Sequence, residues 1–315
     1  MSLPASRKLN FSEIPVISLG GLSDANRKSV VEQIDHACCH VGFFYIVDHG
    51  FDGHLTSELL DQAQRFFSRP ETEKRALGLH PSMRGYLPIF YKSKITDTFS
   101  GTSHQEGFWI GHDCVDAPQH PLESLNRWPE NSDDFRIAMT AYLQAVEQLA
   151  ETLGNCFFEA LGQSRNFYRT QFSRPTSRLK LNHYPPQDNP QREDNIGVVP
   201  HTDSGGFTIL WQDSNGGLEV QSKEGEWVVA PPIEHSFVVN IGDILKYWSN
   251  GRYSSTHHRV VNRYGVDRFS IPYFVNPNAH TKISALDGSF DFEPFDYGDY
   301  QSGKWRDFFP VDQSN

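Results

Sequence analysis

His201 and Asp203 flank a single threonine, and a histidine pair, His257-His258, follows beyond a strand-rich stretch. Two imidazoles and one carboxylate suit iron(II): they hold the ion on one face and leave its other positions open to an oxidant and a substrate. Downstream, Arg268 and Ser270 stand two apart. In a strand they share a side, a cation and a hydroxyl placed to grip one carboxylate. An arginine inside a barrel is costly unless an anion meets it. These residue types describe an oxygen-activating centre with an anionic ligand beside it.

The H-x-D pattern alone is weak. With 14 histidines and 39 acidic residues in 315 positions, about two H-x-[DE] matches arise by chance. Two occur: His104-Gln105-Glu106 in an irregular aromatic region, and His201-Thr202-Asp203 just ahead of a strand. An extended segment points residues i and i+2 to the same side, so only the second match has a setting that presents nitrogen and oxygen to one ion. His257 and His258 point to opposite sides of their strand, and alternation leaves open which one faces inward. A structural zinc would want a closed tetrahedral set, and no fourth cysteine or histidine sits nearby in the sequence.

The elements that must position these groups divide into helices first and strands later. Ile14–Ile17 reads as a strand, Asp24 as the N-cap of a helix carrying Val30, Val31, Ile34 and Ala37, and Phe43–Val47 as a buried strand. A second helix covers Leu55–Ser68 before Pro70, with a short third over Glu71–Leu77. Between about Gly78 and Pro129 periodicity fades. Phe135, Met139, Tyr142, Val146, Leu149, Leu153 and Phe157 then alternate steps of four and three, the apolar stripe of a long helix from Asp133 to Leu161. After Ser177 come short strands separated by turn residues: 179–184, 206–212, 218–221, 227–230, 237–241, 257–262 and 269–275. The expected fold is mixed α and β: a double-stranded β-helix, or jelly roll, with flanking N-terminal helices and one long scaffold helix. Residues 1–130 would form an N-terminal region of helices, short strands and substrate loops, and 131–315 the long helix and catalytic core, in one compact unit. The acidic, aromatic tail after Asn278 would cap the barrel and helices.

Composition narrows the class. The chain is 37% hydrophobic and 21% charged, with a net charge of −11, so nucleic acid and anionic membrane are poor partners and a small molecule fits better. Cys38, Cys39, Cys114 and Cys156 have no C-x-x-C spacing and read as free thiols of a reducing compartment. No signal peptide or bilayer-spanning run is evident. A cytoplasmic monomer is expected.

At these residues the chain resembles the isopenicillin N synthase-like branch of the iron(II)/2-oxoglutarate-dependent dioxygenases. The matched motifs are His201-Thr202-Asp203, the run Ser249-Asn250-Gly251-Arg252-Tyr253 continuing to His258-Arg259-Val260-Val261-Asn262, and Arg268-Phe269-Ser270. Further matches are Asn182-His183-Tyr184-Pro185-Pro186, with His183 in place of the usual first tyrosine, Gly242-Asp243, and several motifs of the N-terminal half, among them Gly42-Phe43-Phe44 and Asp48-His49-Gly50. The resemblance selects His258 over His257. It implies a metal centre of His201, Asp203 and His258, and 2-oxoglutarate with its distal carboxylate at Arg268 and Ser270. Tyr184 would be a second donor, with Asn182 and Lys180 near the same site. The His183 replacement would leave that pocket slightly altered. The implied cofactors are iron(II), 2-oxoglutarate and O2, and the implied reaction oxidises a C–H bond of a small metabolite with release of succinate and CO2. No catalytic side chain is expected beyond the metal centre.

Two other readings stand beside this one. Relatives in the branch carry the same motifs yet use O2 without 2-oxoglutarate, as oxidases or cyclases whose Arg and Ser hold the substrate's own carboxylate. A non-catalytic small-molecule binding protein could also reuse the scaffold. Residues expected to face substrate are Arg84, Tyr86, Phe90, Lys92, Phe108, Trp109, Phe207, Trp211, Phe274 and Asn276. For each aromatic, core packing is the competing reading, and for Arg84 and Lys92 a solvated surface.

Overall fold

A computed structural model describes residues 14–20, 25–89, 91–96, 99–114, 118–187, 195–262, 265–289 and 291–308, with the single positions 6, 22 and 116. Eight strands form the major sheet, in the order Val16–Ser18, Phe43–Val47, Phe237–Ile241, Phe207–Gln212, Arg268–Val275, Arg178–Tyr184, Glu106–Gly111 and Gly85–Leu87. A four-stranded minor sheet runs Trp227–Val229, Leu218–Gln221, His258–Val260, Val198–His201. Phe43, Tyr45 and Val238 of the major sheet share a buried cluster with Leu218, Val220 and Val260 of the minor one. The two sheets thus close as the jelly roll that the strand-rich half predicts. Strands from residues before 131 flank the major sheet at both ends.

The long helix, Asp133–Ala160, buries the stripe expected of it, Phe135 through Phe157. Asp133 and Asp134 occupy its first turn, where carboxylates favour the helix dipole. It ends where Gly162 takes φ 73°, with Gly162 N–H donating to Glu159 O and Gln163 N–H to Phe158 O, a left-handed closure that glycine adopts at little cost. Phe157 packs edge-on to Phe207 of the major sheet at 4.9 Å between centroids. The helix therefore backs the outer face of that sheet, and every second residue of its strands must face the helix.

Two local expectations change and a third gains detail. The segment with fading periodicity holds four strands: Gly85–Leu87, Tyr91–Thr96, Phe99–Ser103 and Glu106–Gly111. Every residue of Glu106–Gly111 is buried, so it shows no polar alternation to read. Asp24 lies outside the described residues, and the first helix, Arg27–His40, follows Asn26 with no side-chain cap hydrogen bond. The aromatic tail ends in a helix, Tyr297–Phe308, that turns toward the barrel. Among the described residues no helix is long and apolar enough to cross a membrane, and the four cysteines are free.

Candidate active site

His201 is the last residue of its strand and pairs directly across the minor sheet with His258, the first residue of its own. Their ring centroids lie 4.2 Å apart. Asp203 sits in the turn beyond the strand, with Oδ1 3.7 Å from His201 Nε2 and 3.8 Å from His258 Nε2. One donor atom from each of the three lies within 4.8 Å of the others, a triangle that one ion can cap. His257, by contrast, is exposed, which decides the alternative that alternation left open.

Each ligand is held from behind. His201 Nδ1 faces Val199 O at 2.8 Å and His258 Nδ1 faces Thr256 O at 3.2 Å. A nitrogen against a carbonyl carries the proton, so both Nε2 lone pairs are left for the metal. Asp203 Oδ2 accepts from Thr208 Oγ1 at 2.5 Å and Asn240 Nδ2 at 2.7 Å, leaving Oδ1 toward the histidines. Burial would raise the Asp203 carboxyl, but the adjacent imidazoles and these two hydrogen bonds outweigh it and hold the group below its ordinary pKa. Burial, with His258 beside it, pushes His201 down. A neutral imidazole at His201 and an ionised carboxylate at Asp203, the forms these shifts favour, are the forms that ligate. The turn bearing Asp203 is pinned by Asp243 N–H donating to Asp203 O at 2.8 Å. Gly242 makes that approach possible, since a Cβ there would meet Gly205 O at 2.2 Å. Thr208→Val removes one hydrogen bond to Oδ2 and is expected to weaken iron(II) retention about tenfold, measured by metal titration.

The cavity beside the triad is built by the period of two along three neighbouring strands. Thr208 and Leu210, then Arg268, Ser270, Pro272 and Phe274, then Arg178, Lys180, Asn182 and Tyr184 line it. The intervening Phe207, Ile209, Phe269, Ile271, Tyr273, Leu179 and Leu181 lie in the buried core. Arg268 pairs in register with Tyr184, and Ser270 with Asn182. Ser270 Oγ accepts from Asn182 Nδ2 at 3.2 Å, and the Arg268 guanidinium lies 4.5 Å from the Tyr184 ring centroid. Arg268 donates through Nε to Gly216 O and through Nη2 to Gln212 Oε1 at 3.5 Å. It is 1% exposed and its Nη1 has no hydrogen-bond partner. Among the described residues no carboxylate pairs with it. A buried cation with an unused N–H is the fitting partner for an incoming carboxylate.

The residues expected at the substrate divide sharply. Trp109, Phe274 and Asn276 line the cavity. Tyr86 does not: its hydroxyl donates to Glu106 Oε2 at 2.5 Å and its ring packs near Phe66. Phe108 lies against Phe66 and Phe135, while Phe207 and Trp211 face the helix side of their strand. In each case the neighbouring residue of the strand holds the inward position. Phe90 lies outside the described residues, and for Lys92 only its place in Tyr91–Thr96 is described.

Arg84 is neither solvated nor part of this cavity's lining. It is 2% exposed and donates to Asn126 Oδ1, Ser82 O, Leu122 O and His112 O at 2.7–3.3 Å. Arg84→Met would strand those acceptors and is expected to cost about 3 kcal/mol of stability, read as a lowered Tm. His183 also changes meaning. It faces out of the barrel, with Nδ1 2.7 Å from Glu106 Oε1 and Nε2 2.7 Å from Asp267 Oδ1, so its replacement of tyrosine leaves the cavity untouched.

Lining residues absent from the sequence reading include Leu87, Ser103, Gln105, Leu210, Gln301 and Trp305. Leu210 follows from strict alternation once Thr208 is placed inward. Gln301 and Trp305 lie on the C-terminal helix, in the aromatic tail expected to cap the barrel, though no local pattern singles out these two as lining residues.

Comparison with known proteins agrees with this geometry. The model of the 2OG-Fe(II) oxygenase superfamily matches residues 175–277, and that of the non-haem dioxygenase in morphine synthesis N-terminal region matches residues 14–131. A homoarginine-6-hydroxylase of Glycine max is 32% identical, covering 94% of this chain and 97% of its own length. A 1-aminocyclopropane-1-carboxylate oxidase of Oryza sativa is 32% identical over 87% of this chain and 81% of its own. Among solved structures, a full-length Neurospora crassa protein in complex with α-KG and thymine superposes with a TM-score of 0.83 at 28% identity, covering 94% of this chain and 98% of that one.

Proposed function

Since this chain belongs to the 2OG-Fe(II) oxygenase superfamily, we propose that it oxidises a C–H bond of a small metabolite at a centre held by His201, Asp203 and His258, with 2-oxoglutarate seated by Arg268, Ser270, Tyr184 and Asn182. Iron(II), when bound, supplies the redox chemistry that couples O2 and the decarboxylation of 2-oxoglutarate to substrate oxidation, with succinate and CO2 as co-products.

The chain's own residues bind, orient and exclude water. His201, Asp203 and His258 would hold the iron through three donor atoms that lie within 4.8 Å of one another, and such a set leaves other positions for ligands. Arg268 Nη1 and Ser270 Oγ receive the distal carboxylate of 2-oxoglutarate, and Asn182 steadies Ser270. Leu210, Leu218 and Val260 give that end apolar walls, which strengthen the ion pair by keeping water away. No side chain is assigned as a general acid or base.

The observation that carries this reading is one cavity holding both the donor triangle and the unsatisfied Arg268 guanidinium. The test is anaerobic addition of iron(II) and 2-oxoglutarate, which should produce a weak visible charge-transfer band, followed by a one-to-one ratio of succinate formed to O2 consumed in turnover. Turnover without any ketoacid would overturn it. The relatives' names speak of homoarginine and 1-aminocyclopropane-1-carboxylate, and a small metabolite of comparable size is the class proposed. The net charge of −11 weighs against nucleic acid and anionic membrane as partners and the free cysteines suit the cytoplasm; a monomer in one structural unit is the form proposed.

A further inference from the structure

Lys180 is a buried cation that the proposed reaction does not use. Tyr184, at the Arg268 end of the cavity, lies four residues along the same strand, about 13 Å away at strand spacing, so the Lys180 backbone stands well away from the Arg268 end while its side chain shares the cavity. Its Nζ lies 4.8 Å from the Trp109 ring centroid and donates to Gln105 Oε1 at 3.4 Å. The stem crosses Gly107, where a Cβ would come within 2.5 Å of Lys180 Cε. The side chain is 5% exposed, and among the described residues no carboxylate forms an ion pair with it.

Charge balance shows what is missing. In the loaded site, iron(II) and Arg268 are matched by Asp203 and the two carboxylates of 2-oxoglutarate. Lys180 is not matched in that balance: among the described residues no carboxylate lies within ion-pair distance of it, and burial pushes its amine down to about 7 against the opposing pull of Asp203. Arg178 also lines the cavity and adds to the positive field, but its N–H groups are all given to main-chain carbonyls, those of Ser82, Leu122, Thr176 and Ser177. A buried amine of this kind sheds its proton unless an anion approaches, and a negative charge on the substrate would hold it as the ammonium.

Two acceptors face the same space. Asn276 Oδ1 and Gln301 Oε1 are buried without a hydrogen-bond partner, each on a residue 2% exposed. The Asn276 amide is oriented by its Nδ2, which donates to Thr176 O at 3.3 Å, and its Oδ1 packs over Gly205, beside the metal turn. Trp109 and Phe274 line the same cavity and are stacked on each other, with centroids 5.5 Å apart and planes 20° from parallel.

Building on the oxygenase reading of the site, we propose that the substrate is a small carboxylic acid bearing an N–H group, its carboxylate bound by Lys180 and its N–H by Asn276 and Gln301, with its body on the Trp109–Phe274 wall. Lys180 is then the residue that selects acids over neutral molecules of the same shape.

The test uses the full chain loaded with manganese(II) and saturating 2-oxoglutarate, so that the Arg268 seat is filled. Matched probes differ only in charge: pipecolate and pipecolamide, indole-3-acetate and indole-3-acetamide, orotate and orotamide. At about 10 mM, at least one acid should raise Tm while its amide does not. In Lys180→Met the dissociation constant of that acid should rise about 30-fold, the size of one lost charge-assisted hydrogen bond. Lys180→Arg should recover part of the loss, which separates a charge effect from damage to the fold. Amides binding as well as acids, an acid shift unchanged in Lys180→Met, or no response of the wild-type protein to any acid would each overturn the inference. The charge-transfer band of the wild-type iron–2-oxoglutarate complex keeps the two readings apart. A normal band with no preference for acids sinks this inference alone, whereas an absent band sinks the assignment of the site and this inference with it.

Discussion

His258→Ala should abolish the iron(II)–2-oxoglutarate charge-transfer band and lower succinate formation by about three orders of magnitude, while His257→Ala leaves both near wild type. The contrast follows from one residue of strand register. His258 pairs with His201 and brings Nε2 to 3.8 Å from Asp203 Oδ1, whereas His257 is exposed. Loss of one of three protein ligands removes about 4 kcal/mol of metal binding, and each 1.4 kcal/mol is a factor of ten. Folding should survive, because an unoccupied imidazole is not a structural cross-link in this barrel. The check is equilibrium dialysis of iron(II) beside circular dichroism. Equal loss of metal in the two variants would place the third ligand elsewhere.

Arg268→Leu should raise the 2-oxoglutarate concentration needed for half-saturation by about 100-fold, with a much smaller effect on iron binding. The variant removes the only guanidinium that combines a place in this cavity with an unpartnered Nη1 among the described residues. A carboxylate gains from it a charge-assisted contact worth about 3 kcal/mol. Arg268→Lys keeps the charge but loses the fork that also reaches Gly216 O and Gln212, so it should recover only part of the affinity. A separate thermal reading tells this from simple damage. The wild-type protein should gain stability when 2-oxoglutarate is added, by linkage, and Arg268→Leu should lose that gain even if its own Tm is little altered. An undiminished ligand-induced shift would mean that the carboxylate is held elsewhere.

These two sites were legible in the chain for different reasons. Two of the metal ligands, His201 and Asp203, depend on short-range spacing, with only one residue between donors, whereas His258 was picked out by the family resemblance. Arg268 and Ser270 depend on the strand period of two, and the structure places both inward. The substrate wall was far less legible. Tyr86, Phe108, Phe207 and Trp211 are aromatics on strands that also have a cavity face, and a sheet covered by a helix on its back offers two apolar environments for the same residue type. Composition cannot tell them apart; parity can, once one inward residue of the strand is known. Thr208, hydrogen-bonded to Asp203, sets the parity that sends Phe207 and Trp211 toward the long helix. Arg84 failed for a related reason. A cation with no visible partner looks solvated or ligand-bound, and its actual partners are main-chain carbonyls, which leave no mark in the residue types.

By itself the amino-acid sequence determined the donor chemistry, the order of helices before strands, the apolar stripe of the scaffold helix and the inward pairing of Arg268 with Ser270, because each is a local or periodic property. Only tertiary closure decided that His258 meets His201 across the minor sheet, that Lys180 shares a cavity with the metal triad, and that Gln301 and Trp305 of the last helix reach it. Those contacts join residues far apart in the chain. Their geometry is set by strand order and packing, which no local pattern of residue types encodes.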